Sequence, residues 1–150
     1  MLREDIQNAL KEAMKSKNML EVNAIRMIIA GQKEKDVEER GKGKPQADDA
    51  QLLAMMQTMI KQRKESIKMF IDGHRPELAE KEEAEIAIIE RFLPKQLTPE
   101  ETTKAIEEAV KQSGADSLKD MGKVMALLRT KYAGQMDFGA VSAQIKNFLS

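Results

Sequence analysis

Cysteine is absent, which excludes disulfides, zinc–thiolate sites and cysteine nucleophiles. A single histidine, His74, leaves no room for a paired-histidine mechanism or a histidine-rich metal site. Tryptophan is missing and aromatics make up 3% of the residues, too few for a platform that stacks single-stranded bases. No apolar run approaches the roughly 20 residues that a membrane span needs. The start, Met1-Leu2-Arg3-Glu4-Asp5, has no apolar signal-peptide core. These missing signals make the cytoplasm the expected compartment. There is no glycine-rich phosphate loop, no Gly-x-Ser-x-Gly and no His-Glu-x-x-His, so neither a metal nor a cofactor is expected. Excess charge is lacking too, with 25 basic and 25 acidic side chains. Divided at Leu97, the parts hold 18 of each sign and 7 of each. Neither part is a polycation, so any nucleic-acid surface must come from arrangement on one face.

What is present is a charge-rich chain of 150 residues, 41% hydrophobic and 33% charged, the profile of a soluble globular protein. Apolar residues recur at helical spacing and no period-2 strand pattern stands out, so the chain is expected to be all-α. Leu2, Ile6, Ala9, Leu10 and Ala13 mark a first helix, broken at Lys17-Asn18. A second runs from about Leu20 to Arg40. Its middle, Ala24 to Ala30, is apolar on most sides, which predicts a central, buried position. Gly41-Lys42-Gly43-Lys44-Pro45 reads as a loop. With Lys35 and Arg40 it makes a local positive spot, taken here as a solvated loop. Asp48 and Asp49 open a third helix that Asp72-Gly73 closes. Its stripe is Leu52, Met56, Met59, Ile60, Ile67, Phe70 and Ile71. Pro76 suits the first turn of a fourth helix, with Leu78, Ile86, Ile89, Phe92 and Leu93 on one side.

The strongest boundary is Leu93-Pro94-Lys95-Gln96-Leu97-Thr98-Pro99, because two prolines cannot both sit inside a helix. It predicts a four-helix N-terminal domain (1–94), a Pro-rich hinge and a three-helix C-terminal bundle (98–150). Thr98-Pro99-Glu100-Glu101 is a capping box that starts the fifth helix, and Gly114 ends it. Asp116 or Ser117 is expected to cap a sixth helix reaching about Tyr132, with Leu118, Met121, Val124, Met125 and Leu128 on its stripe. Asp137 caps a seventh helix that presents Phe138, Val141, Ile145, Phe148 and Leu149.

Some residues break these patterns. Arg63 lies amid the third helix's apolar stripe, and Glu82 lies in the fourth's, with Glu85 at its edge. An unpaired charge there would cost several kcal/mol. An antiparallel hairpin of the two helices therefore predicts an ion pair of Arg63 with Glu82 or Glu85. That pair is read as a packing device before a functional site. The other glutamates of the run, Glu80 and Glu83, point away and read as a solvated face, and His74 as an exposed turn residue. Lys61, Lys64 and Lys68 share one face of the third helix, a solvated surface or a phosphate contact, with Glu65 beside them. Gly122 is expected to allow close helix approach, and the eleven methionines are expected mainly to fill the core.

Several stretches carry a resemblance. They are Lys61-Gln62-Arg63-Lys64-Glu65-Ser66, Ala79-Glu80-Lys81-Glu82-Glu83-Ala84-Glu85, Phe92-Leu93-Pro94-Lys95-Gln96-Leu97 and the run Ser117 to Met125. Gly134, Asp137 and Val141 add to it. In these the chain resembles the YqeY family over nearly its whole length. Residues 98–150 alone resemble the tail domain of the GatB subunit of glutamine-dependent tRNA amidotransferases. The resemblance implies an all-helical, two-part protein whose tail helps recognise tRNA. It also carries the label of a carbon–nitrogen ligase with glutamine as amido donor. No catalytic constellation in these residues accompanies that label, and tail similarity does not bring a reaction with it. The expectation is a tRNA-interacting accessory protein. Lys119, Lys123, Arg129 and Lys131 are the phosphate-binding candidates in the tail, and Lys61, Lys64 and Lys68 a second contact. The rival readings are an adaptor for an amidotransferase or another translation enzyme, with Ala126 and Leu127 as its apolar contact, and an enzyme in its own right.

Overall fold

The computed structural model describes residues 1–149. It is all-helical: α1 (Leu2–Lys15), α2 (Met19–Gly41), α3 (Asp49–Asp72), α4 (Pro76–Glu90), α5 (Pro99–Ser113), α6 (Met121–Lys131) and α7 (Phe138–Leu149). No strand occurs among the described residues. Contacts divide the chain into one unit from Met1 to Leu93 and a second beginning at Pro94.

In the first unit, Ile6 of α1, Val22, Ile25 and Ile28 of α2, Leu52 and Met56 of α3 and Ile89 of α4 are fully buried together. α3 packs chiefly on α4, α2 packs on α1 and α4, and the α2–α3 seam is the looser one. α2 is less central than its apolar middle implies. Val22, Ala24, Ile25 and Ile28 are buried, yet Met27 is 46% exposed and Ala30 is exposed too. A helix at the edge of a bundle buries one stripe, whatever lies on its other side.

Helix ends show how local chemistry sets the boundaries. Asn18 caps α2 by accepting from the Glu21 N–H, and Asp48 and Gln51 form a reciprocal capping box on α3. Four helices stop in the same two-bond motif, in which a residue just past the end turns left-handed. At α2 and α5 that residue is glycine, Gly43 and Gly114. At α1 and α3 it is Lys17 (φ 57°) and His74 (φ 59°). The bonds from Asn18 N–H to the Ala13 carbonyl (3.1 Å) and from Arg75 N–H to the Phe70 carbonyl (2.7 Å) hold them there. So Gly73, the expected stop of α3, keeps φ −86°, and the left-handed turn falls one residue later.

In the second unit, Ile106, Val124, Leu128, Val141 and Ile145 form the core, with Ala105, Ala109 and Met136. Thr98 and Glu101 make the capping box of α5. The segment before it is bound to this unit: the Leu97 N–H donates to the Gln135 carbonyl (2.9 Å), and the Gln96 amide donates to the Gly134 carbonyl (2.5 Å). Asp137 caps α7 through the Gly139 N–H (3.0 Å).

The start of α6 differs from the sequence reading. Neither Asp116 nor Ser117 caps it with a side chain. A short 3-10 turn, Leu118–Asp120, leads in, and the Asp120 carboxylate accepts back from the Asp116 N–H. The turn rotates Leu118 out of the expected stripe and leaves it exposed. Ile71 and Phe148, each near a helix end, are exposed as well, although both were expected on apolar stripes. Gly122 is exposed, and a Cβ there would meet nothing within 4 Å, so close helix approach is not its role. The close approach occurs at Gly31, where a Cβ would come 2.7 Å from the Met55 sulfur. Of the methionines, Met55, Met56 and Met136 are buried, whereas Met1, Met14, Met19, Met27 and Met69 are exposed.

Candidate functional site

The looser α2–α3 seam is a groove of about 610 Å³ within the first unit. Its floor and walls are Met27, Ala30, Gly31, Ala54, Met55 and Met59. α2 and α3 run antiparallel, so Arg63 meets Met27 at one end and Gln51 meets Glu39 at the other. Each end of the groove thus carries a buried charge.

At the first end, Arg63 is only 7% exposed. Its Nε donates to Glu85 Oε2 at 3.0 Å, with Glu82 Oε2 at 3.8 Å. One terminal nitrogen donates to the Met59 carbonyl, and the other lies 3.3 Å from the Met27 sulfur. The structure therefore brings Arg63, Glu82 and Glu85 together, but with Glu85 as the buried, direct partner and Glu82 more open. Glu80 and Glu83 are exposed.

Sequence reasoning missed the second end. Glu39 is 3% exposed, and its Oε1 accepts from the Gln51 amide at 2.8 Å. Lys42 and Lys44 approach its two oxygens at 3.4 and 3.6 Å. Burial pushes this carboxyl up, but Gln51 and the two lysines outweigh that and hold it below the usual carboxylate range. Lys35 pairs with Glu38. The expected positive spot is therefore largely neutralised by α2's own acids.

One turn back, Asp36 accepts two bonds from the Arg3 guanidinium, at 2.6 and 2.9 Å, and one from the Ala47 N–H at 2.9 Å. Arg3 also donates to the Ala47 carbonyl at 2.7 Å. This knot ties the start of α1 to α2 and to the segment entering α3. The Arg3 bonds bring the Asp36 carboxyl down to about 2, against burial that would raise it. A signal for both acids existed: Asp36 and Glu39 continue the stripe of Ile25 and Ile28 at helical spacing.

The basic candidates are scattered. Lys61, Lys64 and Lys68 are exposed within about 60° of one another around α3. None of them forms an ion pair with a described residue. In the tail, Lys119 lies in the 3-10 turn and Lys123 pairs with Asp120 at 3.7 Å. Arg129 lies over the Phe138 ring (5.9 Å) and Lys131 over Tyr132 (5.5 Å). Arg129 and Lys131 leave α6 about 160° apart, so the four tail residues do not share one face. Ala126 and Leu127 are both exposed.

Comparison with known proteins bears on what this architecture is. The family described as YqeY-like protein matches residues 3–149. The chain belongs to the YqeY family. Curated relatives are named altered inheritance of mitochondria protein 41, mitochondrial. That of Candida glabrata is 31% identical over 138 residues, 91% of this chain and 71% of its own length. That of Lachancea thermotolerans is 36% identical over 89 residues, 59% of this chain and 46% of its own. That of Saccharomyces cerevisiae S288c is 29% identical over 121 residues, 77% and 64%. The chain thus spans about half to two thirds of two of these relatives and somewhat more of the third. They are mitochondrial by name, in contrast to the cytoplasmic expectation for this chain. No described helix is long and apolar enough to cross a membrane. No group of three or more acids or histidines poised to hold a metal occurs among the described residues.

Proposed function

We propose that the protein is a non-catalytic accessory factor that binds structured RNA, with tRNA as the class of ligand. The observation that carries this reading is the α3 face of Lys61, Lys64 and Lys68: three exposed ammonium groups on one side of a rigid helix, none held in an ion pair. Such a row suits phosphate contacts, which need charge and spacing rather than base-reading side chains. Lys119 and Lys123, one turn apart in the tail, are a second contact. The resemblance of residues 98–150 to the GatB tail domain supports the same ligand class and a relation to glutamine-dependent tRNA amidotransferases. The family's carbon–nitrogen ligase label is attributed to that association rather than to chemistry performed by this chain.

The test is a titration of fluorescent bulk tRNA with the full chain at several salt concentrations, with duplex DNA as control. The reading requires binding that prefers tRNA, weakens with salt and weakens further when Lys61, Lys64 and Lys68 become alanine. Each phosphate contact removed should lower the salt slope by about one. No binding at low salt, where attraction is greatest, refutes it. The adaptor reading draws on the exposed Ala126 and Leu127, and Leu127→Glu should then abolish capture of a translation enzyme while leaving tRNA binding intact.

A further inference from the structure

Arg63 keeps one poor bond that its ion pair does not repair. Its Nε donates to Glu85 and one terminal nitrogen to the Met59 carbonyl, but the other donates to the Met27 sulfur at 3.3 Å. A thioether is a weak acceptor. A buried cation has given up water, so each donor that misses an oxygen is costly. Arg63 is 7% exposed, so solvent makes up little of the shortfall. Met27, in contrast, is 46% exposed and lines the α2–α3 groove. Dissolved oxidants therefore reach the residue that supplies the poor acceptor. Met14, Met19 and Met69 are exposed as well, but among the described residues their sulfurs accept no hydrogen bond.

We propose that Met27 is a reversible oxidation site whose sulfoxide latches α2 onto Arg63. The oxidant class is a hydroperoxide, hydrogen peroxide being the simplest. The sulfur donates a lone pair to one peroxide oxygen and the O–O bond breaks. Sulfur is oxidised by two electrons. The departing hydroxide takes the proton of the transferred oxygen and leaves as water. Arg63 occupies one sulfur lone pair, so peroxide in the groove attacks the other, and one sulfoxide epimer predominates. Rotation about the Cγ–Sδ bond turns the new oxygen onto the Arg63 nitrogen, and the groove gives the flexible side chain room to shift. The weak N–H···S contact becomes a charge-assisted N–H···O bond, roughly twice as strong as a neutral one. Methionine oxidation ordinarily disrupts packing, because it puts a polar group into an apolar site. At Met27 the sign reverses, since the new oxygen meets a buried donor. Thiol-dependent reduction by an epimer-specific sulfoxide reductase undoes the change and releases the oxygen as water.

The test treats the full chain with dilute hydrogen peroxide. Peptide mass spectrometry confirms oxygen at Met27, with the buried Met55 and Met56 unmodified. Urea unfolding reads the first unit's midpoint before and after, and Met27→Leu treated alongside subtracts the other exposed methionines. Oxidation should raise the native midpoint by about 0.3–1 M relative to that variant. Arg63→Leu with Glu85→Leu removes the donor, and there oxidation of Met27 should lower the midpoint instead. Met27→Gln sets an amide carbonyl where the sulfoxide would stand and should reproduce the rise without peroxide. It carries the test alone if the double variant does not fold. The oxidised Met27 peptide should yield mainly to one of the two epimer-specific reductases. A Met27 sulfoxide that leaves the native midpoint unchanged or lowers it, a rise that persists without Arg63, or an even mixture of epimers overturns the proposal. Binding of tRNA through the α3 lysines should not change, so this proposal and the RNA reading fail separately.

Discussion

Asp36→Asn tests whether the Arg3–Asp36–Ala47 knot holds the first unit together. The substitution keeps the side chain's shape and removes its charge. One amide oxygen can still accept from the Ala47 N–H and from one guanidinium N–H. The new amide nitrogen, however, faces an Arg3 nitrogen that now lies 2.9 Å from the second carboxylate oxygen, so donor meets donor. The loss is one charge-assisted bond plus the penalty of a mismatched, partly buried pair, about 2–4 kcal/mol in all. Urea unfolding of the full chain at pH 7, followed by circular dichroism, should show the first unit's midpoint lowered by about 1–3 M. The second unit's transition should not move. Exchange of the Ala47 amide proton should accelerate, because it loses its charged acceptor. The pH dependence carries its own sign. The folded carboxyl sits at about 2, below its ordinary value near 4 in the unfolded chain. Its stabilising contribution is therefore complete above about pH 4 and is lost as pH falls toward 2. The stability gap between native protein and Asp36→Asn should narrow over that window. The pH-dependent part is about 1–2 kcal/mol once solvent at the more open Arg3 side is allowed for. A gap below about 0.5 kcal/mol at pH 7, or one that stays constant down to pH 2, would refute the reasoning.

Other substitutions probe different links. Lys17→Gly and His74→Gly remove a left-handed strain that a Cβ imposes and should each raise stability by about 0.5–1 kcal/mol in urea unfolding, because both sites have φ near +60°. Gly122→Ala should stabilise the second unit by a similar amount, about 0.5–1 kcal/mol in thermal unfolding, since the added methyl meets nothing. Arg63→Ala strands Glu85 and should cost about 3–5 kcal/mol. Arg63→Met with Glu85→Leu should recover most of that loss. A double variant no more stable than the single would show that the pair does more than fill its site.

The helices were legible because their signals are local. Thr98-Pro99-Glu100-Glu101 is a capping box wherever it occurs, and the structure forms it with the two reciprocal bonds. Asp48 opens α3 in the same way. Arg63 was conspicuous as a charge in an apolar stripe, and its partner could be sought because a hairpin fixes which residues face each other. Asp36 and Glu39 were less conspicuous: they continue the spacing of Ile25 and Ile28, but α2 is polar through that stretch, so no apolar stripe surrounds them to make a charge stand out. Their burial follows from Arg3, Ala47 and Gln51, which lie 33, 11 and 12 residues away in the chain.

The same distinction separates what composition and periodicity determined from what packing decided. All-α class, helix starts and the boundary signals around Pro94 are consequences of backbone chemistry within a few residues: capped N–H groups, missing proline N–H groups and the 3.6-residue repeat. Only tertiary structure decided that α2 lies half open, that Gly31 rather than Gly122 is the close approach, and that α2 and α3 part to leave a methionine-walled groove with a buried charge at each end. Those outcomes depend on which helix covers which stripe. A stripe states that a residue can be buried, and only its neighbours in space settle whether it is.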